Sequence, residues 1–161
     1  MEKRRDETPW LSKRYDVRFQ NKRFYVAKIM LKVRDTAKRK GYRDFWLWLK
    51  DLQTPGQPVY YAKLCLADFT MYLKRRIKHQ LEWTSKIYFV MYRGNPVGRV
   101  QFFLNFDKDK SGKVKPRLIL KYTEKLPEVK AEYFARLSVS DFKGLDKYIK
   151  SSGKPVRTPS Y

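Results

Sequence analysis

Residues 59–81, VYYAKLCLADFTMYLKRRIKHQL, decide how this chain is read. Val59, Ala62, Leu66, Phe69, Leu73, Ile77 and Leu81 step by three or four, the spacing that gathers apolar side chains on one side of an α-helix. The stretch therefore predicts one amphipathic helix of about six turns over about 58–82. Its other side carries Lys74, Arg75, Arg76, Lys78 and His79, the last being the only histidine of the chain. Lys74 and Lys78 lie four apart, as do Arg75 and His79, so they form neighbouring rows. In the sequence only Glu82 is near enough to pair with them. Like charges at this spacing cost roughly 0.2–0.5 kcal/mol per pair. A helix face built only for water would intersperse acids. A phosphate backbone removes the repulsion.

Before this stretch, Val26, Ile29, Met30, Val33 and Ala37 fall at helical spacing. That predicts a helix over 22–40, closed by Gly41, with Lys38, Arg39 and Lys40 at the negative end of its dipole. A strand over RFYVAKIMLKV competes, because aromatic and branched residues crowd its first half. DFWLWLKDL (44–52) is apolar on nearly all sides and reads as a short buried helix ended by TPG at 54–56.

After Trp83 the period changes to two. KIYFVMYR (86–93), GRVQFFLNF (98–106) and KPRLILKY (115–122) read as antiparallel strands, joined by GNP (94–96) and DKDKSG (107–112). Val100, Phe102, Leu104 and Phe106 then face one way, and Arg99, Gln101, Phe103 and Asn105 the other. Leu118, Leu120 and Tyr122 likewise oppose Arg117, Ile119 and Lys121. Pro127 suits the first turn of a helix reaching about Leu137, and Ser140 can cap another that carries Phe142, Leu145 and Ile149. No internal repeat is evident at this level. The predicted class is α+β: N-terminal helices including the long one, a three-stranded antiparallel meander over about 86–122, and two short C-terminal helices. One domain over 13–150 lies between a flexible basic arm (1–12) and a flexible C-terminal tail (151–161).

Charge narrows the partner. In 161 residues, 38 Lys and Arg oppose 16 Asp and Glu, giving a net charge of +22 and a pI near 10.1. Residues 1–50 hold 16 of the basic residues, so the excess is spread along the chain. Hydrophobic residues at 42% and aromatics at 16% still allow a packed core. Such a charge repels itself until counterions or a polyanion neutralise it. Phosphate contact releases the nucleic acid's own counterions and so favours binding further. A single cysteine permits no internal disulfide, the longest apolar run (FWLWL, 45–49) is too short for a membrane span, and the N-terminus has no apolar signal core. These features predict an intracellular protein of a reducing compartment (cytoplasm, nucleus or organelle matrix) or a virion component, neither secreted nor transmembrane.

Three basic groups are therefore candidate nucleic-acid contacts: Lys38, Arg39 and Lys40; Lys74, Arg75, Arg76, Lys78 and His79; and the strand face bearing Arg99, Phe103, Arg117 and Lys121. On that face Phe103 could stack an unpaired base, unless helices cover it and make the ring core. DKDKSG resembles a calcium loop at Asp107, Asp109, Ser111 and Gly112. Leu118 stands where the bidentate glutamate is needed, so a hairpin turn explains it better. Acids are scattered and His79 has no signalled partner, so no catalytic residue, metal site or cofactor is assigned. The expected function is non-enzymatic nucleic-acid binding within a nucleoprotein assembly (ribosomal or other ribonucleoprotein, viral or chromosomal). RNA is slightly favoured over duplex DNA, and other proteins of that assembly would be further partners. The alternatives are a metal-dependent endonuclease and a matrix-type protein on anionic membranes.

Overall fold

The computed structural model describes residues 9–34, 37–38, 42–70, 73–125 and 131–152. Within 22–34, Tyr25, Ala27, Ile29, Leu31 and Val33 are all inaccessible or nearly so, while Lys28, Met30 and Lys32 between them are half-buried. That period is two, not 3.6. The segment is strand β3 (Lys22–Arg34), so the strand that competed replaces the expected helix over 22–34, while residues 35–36 and 39–41 lie outside the described residues. The same alternation corrects the short buried helix: Phe45, Leu47 and Leu49 point inward from strand β4 (Tyr42–Asp51), and Trp46 and Trp48 point outward.

The long helix over 58–82 does not form. Tyr60, Ala62 and Leu64 turn inward at alternate positions, making strand β5 (Val59–Lys63), and helix begins only after Cys65. It consists of α1 (Leu66–Thr70) and α2 (Leu73–Lys78). Leu81, counted on the apolar stripe, is 51% exposed. Of the helix expected from Pro127 to about Leu137, residues 126–130 lie outside the described residues and the rest is corrected to a strand. Tyr133, Ala135 and Leu137 alternate inward, and the strand spans Glu132–Leu137.

The remaining elements are β1 (Trp10–Leu11), β2 (Tyr15–Phe19), β6 (Trp83–Thr84), β7 (Tyr88–Tyr92), β8 (Asn95–Lys108), β9 (Val114–Glu124) and α3 (Val139–Ser152), so that the Glu132–Leu137 strand is β10. Of the arm read at 1–12, residues 1–8 lie outside the described residues, and Trp10 and Leu11 pair with Leu31 and Met30. The strands run β3-β2-β10-β9-β8-β7-β5-β4, and β4 pairs back onto β3. This is a closed antiparallel barrel of eight strands, with β1 continuing β2 along β3 and β6 paired to β8 beside β7. The class is therefore mostly β, not α+β. The meander of β7, β8 and β9 exists as three neighbouring staves of the barrel.

A barrel of this size is just wide enough for side chains to fill. Phe69 of α1 enters one end, 4.9 Å from the Phe102 ring, 5.3 Å from Phe45 and 5.4 Å from Trp83 by centroids. It lies nearly parallel to Phe142 of α3 at 5.9 Å. Tyrosines fill the other end around two carboxylates: Tyr25 donates to Glu124, and Tyr60 donates to buried Asp51 at 2.6 Å.

The two halves are a tandem repeat, which corrects the expectation of none. Trp10, Ser12, Lys13, Tyr15, Val17, Tyr60, Ala62, Leu64, Asp68 and Phe69 each recur as the same residue 73 positions later, from Trp83 to Phe142. The register repeats as well. Tyr25 faces Asp51 across β3–β4 where Gly98 faces Glu124 across β8–β9, and Gln20–Asn21 and Arg93–Gly94 make both tight turns with positive φ at both residues. Ser12 takes the place of a strand residue: its N–H donates to Ile29 O at 2.9 Å and its Oγ accepts from Ile29 N at 2.8 Å. Ser85 does the same to Phe102 at 2.8 Å for both bonds.

The helix aspartates then lock the copies reciprocally. Asp68 of the first copy accepts from Lys86 N at 3.0 Å and Tyr88 Oη at 2.6 Å in the second. Asp141 of the second accepts from Lys13 N at 2.8 Å and from the Tyr15 hydroxyl in the first. Burial, and then the bond to its aspartate, raises the pKa of each of these tyrosines well above the usual phenol range.

The copies are not identical where they pack. Tyr25 corresponds to Gly98, and Leu49 to Tyr122. A Cβ at Gly98 would lie 2.6 Å from the Tyr122 ring and 2.6 Å from the Thr123 carbonyl oxygen, so the large residue opposite requires the small one here. Gly98→Ala is expected to cost about 1–3 kcal/mol, read as a lower urea midpoint with unchanged slope. Adding Tyr122→Leu should recover only part, since the backbone contact remains.

Candidate nucleic-acid interface

Because apolar and tyrosine side chains fill the barrel interior, the alternate residues of the strands face outward, where lipid would sit on a membrane-spanning barrel. Here that side carries lysines and arginines among aromatic rings. On the first copy, Lys28, Trp48 and Tyr61 lie in one cross-strand row through β3, β4 and β5, which Met91 on β7 of the second copy continues, and Met30, Trp46 and Lys63 lie in the next. Lys28 Nζ sits 6.0 Å from the Trp48 ring centroid, and Trp48 Nε1 donates to Tyr61 Oη at 3.2 Å. Trp46 and Trp48 are half-buried, and Tyr61 is 46% exposed. They present aromatic rings between cations, the composition that single-stranded nucleic acids meet on a stacking surface.

On the second copy the strand residues expected from sequence do share the outward side. Gln101 faces Lys121, Phe103 faces Ile119, Asn105 faces Arg117 and Arg99 faces Thr123. Phe103 is half-buried with Lys121 Nζ 5.2 Å from its centroid, so its ring belongs to the outer side and not to the barrel interior. Arg117 is partly neutralised by Asp107 at 3.3 Å.

The α2 cluster lies apart from these rows, at the end of the barrel that the helices close. Arg75, Lys78 and His79 are exposed. Lys74 pairs with Asp146 of α3 at 3.5 Å, an acid far from it in sequence, and Arg76 donates to the Glu82 carbonyl at 2.8 Å. Lys38 is exposed between β3 and β4, whereas Arg39 and Lys40 lie outside the described residues. Sequence reasoning missed Trp46, Trp48, Tyr61 and Lys28. The available signal was Trp at alternate positions 46 and 48, which a strand places on one side.

DKDKSG is a hairpin turn. Asp109 Oδ1 accepts from Ser111 Oγ at 2.6 Å and from Ser111 N and Lys113 N at 2.9 Å, while Gly112 takes φ +83°. The Ser111 hydroxyl, followed by the Lys113 amide, holds the carboxyl below its ordinary pKa. Among the described residues, no three of His, Cys, Asp and Glu come together. A cavity of about 360 Å³ between α1–α2 and α3 is apolar at Phe69, Leu73, Phe142 and Leu145, with lysines and Asp146 at its rim. No helix among the described residues is long and apolar enough to cross a membrane.

Asp51 tunes the tyrosine end of the barrel. Burial disfavours its charge, but Thr54 and Tyr60 hydroxyls and the Gln53 and Thr54 amides outweigh this, so its pKa falls below the usual value. Burial, followed by the bond to Asp51, pushes Tyr60 up to about 12. A depressed carboxyl contributes stability above its unfolded pKa and loses it as pH falls through the folded one. Asp51→Asn is therefore expected to cost about 1–2 kcal/mol at neutral pH. The difference from wild type should shrink below about pH 4, measured by thermal melts across pH.

Comparison with protein-family models, curated proteins and solved structures found no match to this chain.

Proposed function

We propose that the protein is a non-enzymatic binder of single-stranded nucleic acid, a structural part of a nucleoprotein assembly inside a reducing compartment or a virion. The observation that carries this reading is the outward row Lys28–Trp48–Tyr61, extended by Trp46 and Lys63, on a chain of net charge +22. Aromatic faces would stack bases, at about 1–3 kcal/mol each, while the dispersed lysines and arginines would hold phosphates without reading sequence. Exposed rings are of little use to duplex DNA, whose bases are already stacked, so a single strand or an RNA loop is the favoured form.

The test is affinity against salt, with magnesium present and absent and the substrate recovered afterwards. The expected result is a log–log slope of about −0.7 per phosphate contact and intact substrate. A flat slope would contradict the reading, and cleavage that needs magnesium would favour the endonuclease. Changing Lys74, Arg75 and Lys78 together to Gln should weaken binding evenly across sequences and shorten the slope by about 1–2 units. Trp48 would remain free to stack, and the melting temperature should hold.

A further inference from the structure

The copies meet at two seams, and these are chemically unlike. Each seam has one bridging pair, Tyr61 to Met91 between β5 and β7 and Phe134 to Arg18 between β10 and β2. The second pair is the first shifted by one repeat. At the β10–β2 seam the outward residues include Glu132 and Asp16, and Asp16 already binds Arg18 at 3.2 Å and Arg23 at 3.5 Å. The same positions at the β5–β7 seam are Val59 and Phe89, with Met91 in place of Arg18. Phe89 is 62% exposed and pairs with Arg99 on β8. Both seams carry an exposed ring beside a cation, Phe134 by Arg18 and Phe89 by Arg99, and what separates them is that the two outward acids of one are apolar in the other.

We infer that one nucleic-acid strand crosses the barrel over the β5–β7 seam, with bases on Tyr61 and Phe89, and that no strand crosses β10–β2. This rests on the proposed single-strand binding. It joins the Trp48 row of the first copy to the Arg99 edge of the second in one footprint. Asp16 and Glu132 repel phosphate at the other seam and leave its arginines partly neutralised. Duplication supplied two equivalent seams; substitution left one fitted to an anionic polymer with exposed bases.

The experiment uses the full chain and a short fluorescent oligouridylate at fixed salt, with stoichiometry measured at concentrations above the dissociation constant. One strand per molecule is expected. Tyr61→Ala and Phe89→Ala should each weaken binding at least fivefold, about 1 kcal/mol, whereas Phe134→Ala, the repeat counterpart of Tyr61, should change it less than twofold. Tyr61→Phe keeps the ring and should bind nearly as wild type, which separates stacking from loss of the bond to Trp48. Two strands per molecule, or equal losses at Tyr61 and Phe134, would overturn the single seam. Wild-type affinity in Tyr61→Ala and Phe89→Ala would also overturn it and leave the seam to an apolar protein partner. Failure of the wild type to bind would instead remove the single-strand reading itself, and the seam with it.

Discussion

Phe69→Ala is expected to be the most damaging single truncation, costing about 3–5 kcal/mol. The side chain is 1% exposed and packs between opposite sides of the barrel and the second helix: Phe45 on β4, Trp83, Tyr88 and Phe102 on the paired strands β6, β7 and β8, and Phe142 on α3. Removing it leaves a cavity whose walls are strands fixed by hydrogen bonding, so little collapse can compensate. For a chain of this size the loss corresponds to a melting temperature lower by roughly 10 °C. Phe142→Ala should cost less, since it makes ring contacts with Trp10 and Phe69 and lies outside the strands. Thermal melts of both variants decide it. A fall of under about 2 °C for Phe69→Ala would mean that the helices are not part of the core.

The largest effect on binding is expected at the two outward tryptophans. Trp46 and Trp48 are half-buried on the outer side, so truncating them opens no internal cavity, and far-ultraviolet circular dichroism should not change. Each alanine variant should bind single-stranded RNA roughly 5- to 150-fold more weakly, the range that corresponds to losing one stacked base. Trp48→Ala should be the worse of the two, because Trp48 lies in the same row as Tyr61 and is faced by Lys28. Trp48→Phe should recover much of the affinity. The double variant should lose less than the product if both rings hold the same base. Equilibrium titration with a labelled oligonucleotide measures all four.

These tryptophans also explain why the sequence misleads. Where outward residues are polar, as at Arg99, Gln101, Asn105 and Arg117, period two is plain, and β8 and β9 lie where alternation places them. In β4 the outward positions are Trp46 and Trp48, so 45–49 reads as a continuous apolar run and the strand resembles a buried helix. In β5, Tyr60 and Tyr61 erase the alternation in the same way. The residues best suited to stack bases are thus the ones that hide the strands carrying them.

The duplication was hidden by the same division of labour. Inward Val17, Leu47 and Ala62 recur as Val90, Leu120 and Ala135, and the stapling Ser12 and Asp68 recur as Ser85 and Asp141. Outward positions diverged, Trp46 to Ile119, Trp48 to Lys121 and Phe89 from Asp16. Core packing and buried hydrogen bonds constrain side chains one by one, whereas the outer side was free to specialise. The basic charge and the Arg99–Phe103–Lys121 face were legible because composition and clean alternation suffice for them. The first-copy face was not, because it exists only once β3, β4 and β5 are strands in register.

The most direct measurement is a titration of tryptophan emission with a single-stranded oligonucleotide and with its duplex at physiological salt. Trp46 and Trp48 are on the outer side, while Trp83 is buried and Trp10 packs on Phe142, so stacking would report through the outer pair. The expected result is quenching by the single strand, with affinity at least about tenfold tighter than for the duplex, the value of one stacked base. Equal or tighter binding of the duplex with unchanged emission would contradict the outer face as a base-stacking surface.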